Sequence, residues 1–223
     1  MRSFRVLFPI VLLAFGLSPA GAQFANRYGI KVGAAISNIR VSDAAPLTVP
    51  GQAFFLELID GYVVNPSITL FVNALQSEGF VGQIDLTYLR KGASKSAEYL
   101  VTTPQNPDGD GTKASITTEI GLHYLELKML AQPRLPLGNA VAYVNVGPSL
   151  GYLLSMTSLA TIGDQPKQVQ AGYNLGLGLG LVRSDGNELF IEVSYAGDFS
   201  PFYEHNYGKF RNRTWAVSVG TTL

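Results

Sequence analysis

Residues 173–181 run Tyr-Asn-Leu-Gly-Leu-Gly-Leu-Gly-Leu, an unbroken alternation of large apolar and small residues. Side chains on a β-strand leave on opposite faces, so Tyr173, Leu175, Leu177, Leu179 and Leu181 share one face, and Asn174, Gly176, Gly178 and Gly180 the other. A water-soluble sandwich would turn the bulky face inward and cover its outer face with charge and threonine. Here the second face is almost bare, which suits the crowded inside of a narrow closed barrel whose apolar face meets lipid.

The same period of two recurs along the chain. Residues 28–37 set Tyr28, Ile30, Val32, Ala34 and Ile36 against Gly29, Lys31, Gly33, Ala35 and Ser37. Residues 67–76 carry Ile68, Leu70, Val72 and Ala74 on the apolar face, and residues 80–91 put Phe80, Ile84, Leu86 and Tyr88 out, with Gln83, Asp85 and Thr87 in. In residues 119–132 the best register places Leu125, Leu127, Met129 and Ala131 out and Tyr124, Glu126 and Lys128 in, although Ile120 and Leu122 break the alternation. Residues 140–154, 189–198 and 211–223 complete the set. The expected fold is all-β: an eight-stranded antiparallel up-and-down transmembrane β-barrel.

The connections support this more than any single strand does. They run long, short, long, short, medium, short, medium, the sorting of a barrel with tight turns at one end and longer loops at the other. Each strand also reaches the ~9 to 11 residues that a tilted strand needs to cross a bilayer. Tyr28, Tyr88, Tyr152, Tyr195 and Trp215 stand where an interfacial girdle would. Residues 39–66 contain Pro46, Pro50, Gly51 and Gly61 and leave residues 53–59 open between strand and short helix. Residues 92–118, which include Asp108-Gly109-Asp110-Gly111, read as an exposed loop.

With 223 residues, no Cys and 24 Gly, the chain fits one β domain whose closed sheet replaces disulfides as the source of stability. Its 16 basic and 16 acidic residues leave no cationic surface for nucleic acid. Residues 1–22 resemble a cleaved secretory signal: Arg2 and Arg5, an apolar run from Val6 to Leu17, then Ala20-Gly21-Ala22. Residues 23–223 would then be the mature barrel, exported to the cell outer membrane with membrane lipid as its surroundings.

Candidate chemistry is sparse. The glycines of residues 176–180 keep period two and precede no helix, unlike a dinucleotide fingerprint. Asp108 could open a calcium loop, but the full pattern needs further oxygen ligands besides a closing Glu. His123, placed at the membrane interface, and His205, placed in a loop, have no Cys to join them in a zinc site. No serine stands in a nucleophile elbow. We assign no catalytic, metal or cofactor-binding residue and read the chain as a non-enzyme without a cofactor. What remains is a set of inward charges, Lys31, Asp85, Glu126, Lys128 and Glu192, expected to pair as a structural network inside a plugged lumen.

Several motifs are similar to those of outer-membrane β-barrel proteins of the PorT type, common in Bacteroidetes-like bacteria. They are Gly29-Ile30-Lys31-Val32-Gly33, Leu86-Thr87-Tyr88-Leu89-Arg90-Lys91-Gly92, Tyr124-Leu125-Glu126-Leu127, the run from Val146 to Leu154, Gly176-Leu177-Gly178-Leu179-Gly180 and the closing strand. Lys128 stands where the family has Pro, and the chain ends in Leu223 rather than an aromatic residue. The resemblance implies an outer-membrane address and envelope or secretion-system proteins as partners, in a structural or accessory role. Two other readings stay open: a soluble periplasmic lipocalin-like carrier with its bulky faces turned inward around a small apolar ligand, and an outer-membrane enzyme with loop-borne catalytic groups.

Overall fold

A computed structural model describes residues 27–42, 61–77, 79–100, 113–158, 166–205 and 208–223. The signal-like residues 1–22, the open segment 53–59 and the Asp108 motif lie outside them. Among the described residues the strands are β1 (Arg27–Ser42), β2 (Tyr62–Ser77), β3 (Phe80–Leu100), β4 (Lys113–Leu137), β5 (Ala140–Ser158), β6 (Val169–Val182), β7 (Glu188–Asp198), β8 (Tyr203–His205) and β9 (Gly208–Thr222). All but the short β8 form an antiparallel barrel in which each strand pairs with the next, β7 pairs with β9, and β9 returns to β1. The closing seam runs from Gly29 opposite Thr222 to Ser42 opposite Lys209. Closure removes the free edges of the barrel wall, which is how an all-β chain without disulfides protects its backbone hydrogen bonds. The tight turns after β2, β4 and β6 share one end of the barrel with both of its termini. Gly79, Gly138 and Gly186 sit in these turns at φ of 78°, 69° and 82°, a region in which a side chain would be strained.

The alternation read in β6 holds around the whole barrel. Leu175, Leu177 and Val217 are 50%, 65% and 48% exposed on the outer wall, where a carrier would need them inside. The bare inner face has a direct steric cause. Phe71 stands opposite Gly29, Tyr143 opposite Gly178, and Phe190 opposite Gly220 on adjacent strands. In each pair the ring lies over the glycine, in the space that a Cβ would take. The small residues of one strand therefore seat the aromatic residues of its neighbour.

The structure corrects four expectations. Ile120 and Leu122 do not break the alternation, because both point inward with Tyr124 and are buried. An apolar level inside the lumen accounts for them. Residues 92–118 are not simply a loop: β3 and β4 stay paired from Gly92 opposite Gly121 to Leu100 opposite Lys113. Beyond Ser67 opposite Leu89 on one side and Ile120 opposite Ser158 on the other, no strand among the described residues flanks this hairpin. The polar and apolar residues of this stretch do not alternate, so no apolar face marks it as strand. β2 begins at Tyr62, upstream of Pro66, which sits where the β2–β3 ladder has ended. His205 belongs to β8, paired opposite Gly208.

Candidate functional site

The inward residues of β3, read from the tight-turn end, are Val81, Gln83, Asp85, Thr87, Leu89, Lys91 and Ala93, all buried. This sequence of side chains describes the lumen level by level. At the tight-turn end Phe71 and Tyr143 both pack edge-on against Phe190, with ring centroids 5.7 Å and 6.2 Å away. Arg134 and Glu188 pair beside them.

Above this apolar floor lies the first ion cluster. Lys31 Nζ is 2.9 Å from Asp85 Oδ2 and 3.3 Å from Glu192 Oε2. Gln83 Nε2 donates to Asp85 Oδ1 at 2.5 Å, and Asn145 Nδ2 to Glu192 Oε2 at 2.6 Å. Gln132 Nε2 in turn donates to Asn145 Oδ1 at 2.9 Å. The ammonium also lies 5.4 Å and 5.9 Å from the Phe71 and Phe190 ring centroids, within reach of their negative faces.

A second cluster stands nearer the long-loop end. Lys91 Nζ is 2.5 Å from Glu126 Oε1 and 3.2 Å from Asp198 Oδ1, and Lys128 Nζ is 3.8 Å from Glu126 Oε2. Asn212 Nδ2 donates to Asp198 Oδ2 at 3.0 Å. Over this cluster the lumen turns apolar. Leu89, Ile120, Leu122 and Leu153 meet Phe202, Tyr203 and Phe210, which arrive from the chain after β7 and from the start of β9. Between the clusters lies a cavity of about 30 Å³, room for about two waters. Its lining includes Lys31, Asp85, Glu126, Lys128 and Glu192, together with Thr69, Thr87 and Ser194.

The five charges singled out in the sequence thus fall into two groups: Lys31, Asp85 and Glu192 in one, Glu126 and Lys128 in the other. Sequence reasoning did not single out Lys91, Asp198, Asn212 or the Arg134–Glu188 pair. The signal for the first two was present, since Lys91 shares the parity of Asp85, and Asp198 that of Glu192. Both lie at strand ends close to polar segments, where parity carries the least contrast. Chemically, the arrangement ties carboxylates from β3, β4 and β7 to ammonium groups on β1, β3 and β4 in a nearly dry space. Taking a partner away there leaves a buried charge uncompensated. Among the described residues, no group of three or more Asp, Glu or His could hold a metal ion.

The outer wall is uncharged from Tyr28 to Ile36 on β1, from Tyr62 to Val72 on β2 and from Trp215 to Leu223 on β9. Its aromatic residues meet on the wall: Tyr195 and Trp215 centroids are 4.9 Å apart, and Tyr173 and Phe199 5.0 Å. His123 also faces outward, with Nδ1 2.8 Å from the Tyr88 hydroxyl.

No family model matches the chain, and no curated protein does. Among solved structures it is similar to Neisserial surface protein A, with 13% identity and a TM-score of 0.49 over 91% of this chain and 98% of that one. It is also similar to the outer membrane protein OprG from Pseudomonas aeruginosa, with 12% identity and a TM-score of 0.42 over 90% and 96%. A third likeness is to Ail, the attachment invasion locus protein of Yersinia pestis, with 12% identity and a TM-score of 0.37 over 89% and 99%.

Proposed function

We propose that this chain is an outer-membrane β-barrel with an occluded lumen, whose role is structural or interactive rather than catalytic or conductive. One observation carries the reading: a closed barrel with leucine, valine and aromatic side chains outside and paired ions inside. In water that polarity exposes most of the apolar surface to solvent, whereas in a bilayer it places the surface in hydrocarbon. Every backbone group of a closed sheet is also satisfied within the sheet, as hydrocarbon demands.

Two apolar levels that bracket the ion clusters, with a cavity of about 30 Å³ between the clusters, support occlusion. The surface available to a partner is then the long-loop end, where the β3–β4 hairpin projects past its neighbours. The similarity of the strand motifs to PorT-type barrels points to an envelope or secretion-system protein as that partner, with this chain as an accessory.

Heating tests the architecture. Protein folded in detergent is compared on a gel before and after boiling: a closed barrel migrates faster unheated, and identical mobility with full recovery from the aqueous fraction without detergent would refute the membrane reading. Affinity purification of the tagged protein from solubilised envelopes tests the partner, and recovery of the barrel alone would remove the accessory role.

A further inference from the structure

The uncharged wall ends, on the β1–β9 seam, in a cluster of arginines. Successive outward positions of β9 are Arg211, Arg213, Trp215, Val217 and Val219, and those of β1 are Arg40, Asn38, Ile36, Ala34 and Val32. Arg40 stands directly opposite Arg211, and Arg213 opposite Asn38. Directly opposed residues of an antiparallel pair lie about 4.5 to 5.5 Å apart at Cα, and like charges so placed repel.

Nothing described offsets that repulsion. Arg211 donates to Ser42 Oγ at 2.5 Å and to the Phe199 carbonyl at 3.2 Å, both neutral acceptors, which leaves most of its guanidinium free. Among the described residues no carboxylate pairs with Arg40, Arg211 or Arg213. The contrast at the same rim is plain: Arg90 pairs with Glu119, and Lys167 with Glu204 at 3.0 Å. The nearest described carboxylate along the strand, Glu204 opposite Lys209, is thereby engaged.

We propose that Arg40, Arg211 and Arg213 hold the phosphate headgroup of a membrane lipid, whose acyl chains run down the wall past Trp215, Val217 and Val219. The order along β9, cation then indole then aliphatic, reproduces the order of a phospholipid from headgroup to chain. A phosphate oxygen set accepts the planar guanidinium fork in paired hydrogen bonds, and its negative charge removes the repulsion between Arg40 and Arg211. At the edge of an uncharged belt, the anion that stands at this height is the phosphate layer of the bilayer itself. This inference rests on the membrane reading above.

Trp215 is the only tryptophan in the chain, so its quenching reports on this wall alone. The full barrel is inserted into phosphatidylcholine vesicles, and insertion is scored first by the mobility shift on heating. Quenching by phosphatidic acid with brominated chains is then compared with quenching by equally brominated phosphatidylcholine. The expected result is stronger quenching by phosphatidic acid, with the preference falling roughly fivefold for each arginine removed in R213Q and R40Q/R213Q. Should the double variant not insert, R213Q alone is scored. Insertion without a preference for phosphatidic acid, or a preference unchanged in the variants, overturns this inference only. An equal change in Trp215 emission caused by inorganic phosphate in pure phosphatidylcholine vesicles overturns the lipid assignment. Failure of wild-type protein to insert overturns the membrane reading and this one with it.

Discussion

Lys31 answers to two carboxylates, Asp85 and Glu192, and is 4% exposed between them. Lys31→Met should therefore destabilise the barrel by about 3 to 5 kcal/mol, because two buried negative charges lose their partner. Urea unfolding of the protein in vesicles, followed by Trp215 emission, measures this. The triple variant K31M/D85N/E192Q should recover part of the loss, since neutral amides can still hydrogen-bond to Gln83 and Asn145. Recovery would show that the cost is that of unpaired charge rather than of lost packing. At this scale the inward face of Lys31 was legible from parity alone, as was that of Asp85. Lys91 has the same parity, and the glycine and serines that follow it blur the end of the strand pattern. The identity of each ion's partner was not legible anywhere, because pairing across a barrel depends on stagger between strands far apart in sequence.

Single strands behave according to what covers each face. β6 carries Leu177 at 65% exposure with Leu175 and Leu179 on either side. Leu177→Arg is expected to cost about 2 to 4 kcal/mol for folding into vesicles, the penalty for a cation near the bilayer midplane. The same variant in detergent should lose far less, and equal losses in both media would argue against a lipid-facing β6. The β3–β4 hairpin makes the opposite case. Replacing residues 95–118 with a tight turn should leave insertion and the heat-dependent mobility shift intact, since no strand among the described residues pairs with the hairpin's outer edges. Loss of folding in that variant would mean the hairpin is part of the barrel's stability. Strand existence was legible wherever one face was apolar, as in β6 and β7. It was illegible in residues 92–100 and 113–118, where the sequence pattern carries no contrast between faces.

For the whole molecule, the occlusion proposed above predicts electrical silence. Purified protein in planar bilayers should give no steady conductance, because the aromatic floor at Phe71, Tyr143 and Phe190 and the apolar level at Phe202, Tyr203 and Phe210 both cross the path. A stable, ohmic single-channel current would contradict occlusion while leaving the barrel itself untouched. The apolar level at the long-loop end was not foreseen. Its contributors come from β1, β3, β4, β5, the residues after β7, and β9, and each in isolation reads as an ordinary strand residue or a loop aromatic.

By itself the sequence determined which side chains share a face, how many strands close the barrel and at which end the tight turns lie. These are consequences of a period of two and of turn chemistry, both local and both written in neighbouring residues. Only the tertiary structure decided what the inward faces meet: that Phe71, Tyr143 and Phe190 lie over glycines of the next strand, that the ions divide into two clusters, and that three arginines gather at one seam. Those outcomes depend on the stagger of closure, which sets β1 against β9 across nearly the full length of the chain. A period of two fixes the face of a residue and leaves its height in the barrel free.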